Sequence, residues 1–260
     1  MTLELAKVSY RYPGYARVVL HDIDLRIGRG EIVGLVGGTD AGKSTLCLVA
    51  SGLAPASVGG QLTGELRIDG RPAAGLRTWE LASAVGLVFQ DPGNQRSGAT
   101  ATVLEEVALG PVNLGLDVAE TLERTREALA ALGIADLALR DPGQLSGGEA
   151  QLVAIASVLA MRPANLILDE PTAQLDAGGA ARVRDALAHL VGSGESVLIA
   201  EQDTDLLGDL CDRVVVIDAG RIVRDRPAAD VLAWPGLLAL GVRPPTLVRL
   251  SLPALADAGR

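Results

Sequence analysis

The sequence predicts an α/β fold: a mixed, mostly parallel sheet with an N-terminal antiparallel β subdomain and an inserted helical subdomain. Three observations predict it. A glycine-rich loop, Gly37-Gly38-Thr39-Asp40-Ala41-Gly42-Lys43-Ser44-Thr45, lies between an apolar run, Ile32-Val33-Gly34-Leu35-Val36, and the start of a helix at Leu46. Further short apolar runs, Val85 to Phe89, Leu166 to Leu168 and Ser196 to Ala200, recur between helical patterns, as buried strands do. From about residue 91 to 160 there is no strand signal.

Residues 3 to 27 read as strands, because Leu3, Leu5, Leu20, Ile23, Leu25 and Ile27 alternate with polar residues. Between them stands Tyr10-Arg11-Tyr12-Pro13-Gly14-Tyr15. These rings either pack the strands or supply one stacking surface for a nucleotide base. Tyr12, just before the Pro-Gly turn, is the candidate. The loop at 37–45 fits G-x-x-x-x-G-K-[ST] in the strand-loop-helix context that motif requires. Loop amides with little side-chain cover form a concavity for phosphate oxygens. The following helix adds its unpaired N–H groups and the positive end of its dipole. Lys43 brings a full charge to the outer phosphates, and Ser44 a hydroxyl for magnesium. Asp40 is the odd position, a carboxylate beside an anion site.

Residues 51 to 84 read as a loop-rich insertion with a short strand, Glu65-Leu66-Arg67-Ile68, and a hairpin turn at Asp69-Gly70. The strand Val85 to Phe89 ends at Gln90-Asp91-Pro92-Gly93-Asn94-Gln95, a polar turn. Gln90 there either caps the turn or reaches magnesium or water. Residues 103 to 140 are helical by pattern, with Gly133 as a C-terminal stop. Ser146 and Glu149 have the spacing of a capping box that opens another helix. A capped helix needs no Gly147-Gly148 pair, since each glycine costs about 1 kcal/mol there relative to alanine. A phosphate approaching the amides would use it. The chain therefore carries two candidate anion sites at helix starts. The strand Leu166-Ile167-Leu168 ends in Asp169, placed to hold magnesium, and Glu170, placed to take a proton from water. A helix over Arg182 to Val191, the strand Ser196 to Ala200, strands at Val214 to Ile217 and Gly220 to Val223, and a proline-bearing end complete the chain.

Composition sets limits on function. Across 260 residues, 48% are hydrophobic, enough for a large core. Net charge is −9, from 23 Lys+Arg against 32 Asp+Glu, so no nucleic-acid partner is expected. No apolar run reaches the roughly 18 residues of a membrane span. Glu4 and Lys7 interrupt the place where a secretory leader would be apolar. Cys47 and Cys211 read as buried thiols of a reducing compartment.

The order of Tyr12, GGTDAGKST, Gln90, Leu145-Ser146-Gly147-Gly148-Glu149, Leu166 to Pro171 and Leu175-Asp176 resembles the ATP-binding cassette ATPases, over residues 3 to about 232. The resemblance implies a P-loop NTPase core over residues 1–232, its helical subdomain at about 91–160, and a short element at 233–260 that serves dimerisation. It implies ATP and Mg2+ as ligands. Tyr12 would stack on the base. Gly37, Gly38, Thr39, Asp40, Ala41, Gly42, Lys43, Ser44 and Thr45 would bind phosphate. Ser44, Gln90 and Asp169 would hold the metal, and Glu170 would be the base. Ser146, Gly147, Gly148 and Glu149 would grip ATP bound to a second ATPase subunit, identical or not, and Asp176 would cross that interface. Gln90 would also sense the transport partner.

The run from Val88 to Gln95, the segment Glu105 to Pro111 and Leu159 to Pro163 further resemble the energy-coupling-factor importer ATPases of the cobalt and vitamin type. That implies solute uptake powered by ATP hydrolysis at the cytoplasmic face of a membrane, through transmembrane partners. Departures qualify this. Gln202 stands where the family has a histidine that orients the attacking water, Asp40 replaces glycine, Glu149 replaces glutamine and Leu152 replaces arginine. A slow site in an asymmetric pair is thus a second expectation, and a soluble, non-transport cassette ATPase a third.

Overall fold

The computed structural model describes residues 2–192 and 194–251. Its strands are β1 (Leu3–Arg11), β2 (Leu20–Ile27), β3 (Ile32–Val36), β4 (Gln61–Ile68), β5 (Arg71–Pro72), β6 (Val85–Val88), β7 (Asn165–Asp169), β8 (Ser196–Ala200), β9 (Arg213–Asp218) and β10 (Arg221–Pro227). Its helices are α1 (Lys43–Ala50), α2 (Leu53–Ala56), α3 (Thr78–Ala84), α4 (Val103–Asn113), α5 (Val118–Ala131), α6 (Gly147–Leu159), α7 (Ala177–Gly192), α8 (Thr204–Leu210), α9 (Ala228–Leu232), α10 (Gly236–Ala239) and α11 (Thr246–Ser251).

Two sheets form, in the strand orders β2-β1-β4-β5 and β10-β9-β3-β8-β7-β6. The first is antiparallel. The second is parallel from β9 through β6, with β10 antiparallel at its edge. The mixed, mostly parallel sheet and the antiparallel β subdomain both match the sequence reading. Strands buried on both faces explain the runs of Val, Ile and Leu. Along β3, Ile32 and Val36 enter one apolar cluster while Val33 and Leu35 enter the other. In β9, Val214 and Val216 divide from Val215 and Ile217 in the same way.

Residues 51 to 84 are not an insertion. β4 pairs with β1 along its length, Leu3 with Ile68 through Arg11 with Gln61, and sits inside the antiparallel sheet. Its burial is uneven, with exposed Gln61, Thr63 and Gly64 diluting the alternation that would have announced it. The helical stretch holds α4, α5 and α6, packed on one another. Gly133, at φ +63°, ends α5 in the left-handed conformation expected of a C-terminal glycine. Beyond β10, Leu237 and Val242 are buried in the larger apolar cluster. Thr204 Oγ1 donates to the Arg243 carbonyl at 2.7 Å, and the Thr246 amide donates to Asp205 Oδ1 at 2.7 Å, tying this end to α8. Residues 252–260, including Pro253, lie outside the described residues.

Candidate functional site

Register places the chemistry. Leu35 pairs with Ala200, Ala200 with Asp169, and Leu168 with Val88. The carboxyl ends of β3, β8, β7 and β6 therefore share one edge, where open α/β sheets bind ligands. From that edge leave the glycine loop, Glu201-Gln202, Asp169-Glu170 and Gln90. The ladder continues one step past the strands, with the Glu201 amide donating to the Leu35 carbonyl at 3.1 Å and the Glu170 amide to that of Ala200 at 2.8 Å.

A cleft of about 410 Å³ opens there, lined by Thr39 to Thr45, Gln90, Glu170 and Gln202, with Tyr15, Arg17 and Val19 from the β1–β2 loop. Lys43 is buried, and its Nζ donates to the carbonyls of Gly37 at 3.0 Å and Gly38 at 3.2 Å. Gly42 at φ +110° lets the loop turn into α1. Asp40 adopts φ +60°, a left-handed backbone that aspartate tolerates better than most residues. The β9–β10 turn braces the loop from behind, as the Gly220 amide donates to the Ala41 carbonyl at 2.9 Å.

Glu170 is 8% exposed and also left-handed, at φ +47°. Such strain persists only where surroundings over-determine it. Its Oε2 accepts from Gln90 Nε2 at 2.7 Å and its Oε1 from Gln202 Nε2 at 2.8 Å, with Lys43 Nζ 3.9 Å away. Beside it, Asp169 is buried, and burial raises its carboxyl pKa against a lowering hydrogen bond from Ser44. Asp169 Oδ1 has no partner. An orphaned carboxylate oxygen beside a serine hydroxyl is a hard-oxygen donor set, and it fits magnesium. Behind Gln202, Glu201 is 3% exposed, and burial raises its pKa despite four hydrogen bonds.

The sequence matches the ABC transporter family over residues 20–173, a span that holds the glycine loop, Gln90, the Ser146 helix start and Asp169-Glu170. The chain belongs to the ABC transporter family. A putative ABC transporter ATP-binding protein of Pyrococcus horikoshii is 41% identical over 251 residues, covering 95% of this chain and 87% of that one. The cobalt import ATP-binding protein CbiO of Rhodobacter capsulatus is also 41% identical, covering 94% and 86%. Among solved structures, cbiO1 of Clostridium perfringens, part of the ABC transporter complex cbiONQ, superposes with a TM-score of 0.77 at 33% identity, covering 96% and 95%. A dimeric ATP-binding cassette in a post-hydrolysis state with ADP and Pi gives 0.77 at 26% identity, covering 87% and 98%.

In this ABC transporter chain the two candidate anion sites do not meet. Ser146 to Glu149 line no part of the Lys43 cleft. The capping box is formed, with the Ser146 amide donating to Glu149 Oε2 at 2.8 Å and the Glu149 amide to Ser146 Oγ at 3.3 Å. Arg140 adds a further contact to Glu149 at 2.8 Å. Packing asks little of the glycine pair, since the nearest group to Gly147 is the end of the exposed Gln174 side chain. A Cβ at Gly147 would lie 2.8 Å from Gln174 Oε1, and one at Gly148 lies 3.3 Å from the Gln174 carbonyl. Asp176 is exposed, and its Oδ1 accepts from the Gly179 amide at 2.7 Å, holding the start of α7.

Tyr12 is not among the cleft-lining residues; its hydroxyl sits 3.1 Å from Thr45 Oγ1 and its ring packs edge-on to Tyr10 at 5.0 Å. Tyr15, 66% exposed and 6.1 Å from Tyr12, faces the cleft instead. Sequence reasoning missed Tyr15, Arg17 and Gln95. Gln95 Oε1 accepts from the Phe89 amide at 3.1 Å and its Nε2 donates to the Ala154 carbonyl at 3.0 Å, joining the Gln90 loop to α6. Its amide in a turn after an apolar strand was the one available signal.

Proposed function

We propose that this chain is the ATP-binding and ATP-hydrolysing subunit of an energy-coupling-factor-type importer, working at the cytoplasmic face of a membrane with a second ATPase subunit and transmembrane partners. The carrying observation is that Lys43, Asp169, Glu170, Gln90 and Gln202 converge at one strand edge beside the phosphate loop. The likeness to the cobalt import protein of Rhodobacter capsulatus and to cbiO1 supports the importer type. Among the described residues no helix is long and apolar enough to cross a membrane, consistent with reliance on membrane partners.

The loop amides bind the phosphates, and Lys43 exchanges its bonds to the Gly37 and Gly38 carbonyls for the outer phosphate oxygens. Ser44 and Asp169 would hold magnesium, with Gln90 completing the set. Magnesium, when bound, supplies charge neutralisation across the outer phosphates. Glu170 accepts the proton of the attacking water. Tyr15 at the cleft offers the base a stacking surface, with Tyr12, the ring the sequence singled out, packed against it at 6.1 Å. Ser146, Gly147 and Gly148 close over ATP held by the second subunit, which accounts for their absence from the cleft of their own chain. A groove between the core and the helical subdomain, lined by Leu81, Leu87, Gln95, Val158 and Met161, gives the membrane partner access to the Gln90 loop.

One observation favours a slower own site. Both Glu170 oxygens are taken up by amides, and Gln202 cannot carry the charge a histidine would. The test is steady-state ATP hydrolysis by the purified chain, with and without detergent-solubilised membrane partners recovered by pull-down. Hydrolysis stimulated by those partners and lost in Glu170→Gln supports the proposal. ATP binding without turnover under both conditions supports the slow-site reading instead, and no ATP binding refutes both.

A further inference from the structure

Glu201 is the residue immediately after β8, and it is 3% exposed. A carboxylate at that depth costs several kcal/mol unless it is hydrogen-bonded. Its two oxygens divide their partners. Oε1 accepts from the Thr172 amide at 3.0 Å and from Thr172 Oγ1 at 2.5 Å. Oε2 accepts from the Gln202 amide at 3.0 Å and from the Asp203 amide at 3.4 Å. One oxygen thus holds the turn that follows Glu170, and the other holds the loop that presents Gln202. Gln202 Nε2 then donates to Glu170 Oε1 at 2.8 Å and closes a ring: Glu170, Pro171, Thr172, Glu201, Gln202, Glu170.

We propose that Glu201 is a positioning residue for hydrolysis, locking the Glu170 turn and the Gln202 loop into one rigid unit. This rests on the reading of Glu170 as the base. Stability alone is a poor reason for a buried carboxylate, since apolar replacements of such groups are often neutral or stabilising. The left-handed backbone of Glu170 gives a better one. Such a conformation needs its flanks fixed from outside, and Thr172, two residues on, is fixed by Glu201. Glu201 itself lines no part of the nucleotide cleft, so its influence on turnover passes through Glu170 and Gln202.

The experiment uses the full chain and measures kcat and KM for ATP, together with Tm, for Glu201→Gln, Thr172→Val and Thr172→Ser. Glu201→Gln turns an amide toward N–H donors, and the expected fall in kcat is about tenfold to a hundredfold. KM for ATP should stay within about twofold, because no contact to the nucleotide is lost. Thr172→Val should reproduce a smaller part of the kcat loss, and Thr172→Ser, with the hydroxyl restored, should recover it. Wild-type kcat in Glu201→Gln, whatever its Tm, overturns the inference. So does a Thr172→Ser variant as slow as Thr172→Val, or a KM that rises as far as kcat falls. If Glu201→Gln does not fold, the two Thr172 variants decide alone. A wild-type chain without hydrolysis both alone and with its membrane partners removes the hydrolytic function and this inference with it, whereas a hydrolysing wild type with unaffected variants removes only the inference.

Discussion

On the proposed reading of the cleft, Asp40 is a direct lever on ATP affinity. It lines the cleft with Lys43, Ser44 and Thr45, and its backbone is left-handed at φ +60°. Asn tolerates the same backbone, so Asp40→Asn removes the charge and leaves the loop conformation alone. Three residues of chain hold the Asp40 and Lys43 Cα atoms within about 11 Å of each other, which sets the scale of the carboxylate-to-phosphate separation. At about 10 Å and an effective dielectric of about 40, one unit charge against the roughly two net charges of magnesium-bound ATP costs about 1.7 kcal/mol. Screening at 0.1 M salt reduces this to about 0.6 kcal/mol, and at 0.01 M to about 1.2 kcal/mol. The dissociation constant for ATP should therefore fall about threefold at 0.1 M salt and about sevenfold at 0.01 M. Calorimetric titration of wild type and Asp40→Asn at both ionic strengths reads this directly. An unchanged affinity at low salt, or a gain that ignores salt, would refute the electrostatic reasoning.

Three other outcomes are expected. Glu170→Gln should lower kcat by about a hundredfold to ten-thousandfold while ATP still binds, as loss of the proposed general base would; turnover assays and equilibrium binding check this. Gly220→Ala should destabilise the chain by roughly 2–4 kcal/mol in urea melts, because a left-handed backbone is combined with an overpacked contact. There φ is +75° and the new Cβ would lie 1.9 Å from the Val19 carbonyl; ATP affinity should fall too, through the brace on Ala41. Glu106 gives a pH dependence. Burial alone would raise its pKa, but hydrogen bonds from Thr100 and Ser97 outweigh burial and hold the carboxyl below the usual range. Its contribution is therefore complete above the unfolded value of about 4.3 and is lost as pH falls through that value toward the lower folded one. Glu106→Gln should flatten this acid limb in melts from pH 7 to about pH 3.

What could be read from the sequence follows the range of the interactions. The phosphate loop, the capping box at Ser146 and the Asp169-Glu170 strand end are contiguous, and each requires its neighbours to be strand, turn or helix. Their local structure was legible one residue at a time. The second half of β4 and its turn at Asp69-Gly70 were legible too, but the first half and the pairing with β1 were not, because the paired residues lie fifty or more positions apart and exposed Gln61, Thr63 and Gly64 blur the alternation. Tyr15 was passed over for Tyr12 because sequence position after a Pro-Gly turn does not say which ring the turn aims at the cleft.

Glu201 illustrates the same limit more sharply. An acid after a buried strand reads as a solvated end, and its partner Thr172 lies 29 positions earlier, in a turn after a different strand. Only the adjacency of β7 and β8 joins them, and sheet order leaves no mark in either segment. The same adjacency brings Gln202 to Glu170. The glutamine at 202 therefore does not act in isolation. Whatever occupies that position works inside a ring whose other members hold Glu170 in a strained conformation. Placing an imidazole there by Gln202→His tests the charge, while Glu201→Gln tests the scaffold. If the scaffold dominates, the first will change turnover far less than the second.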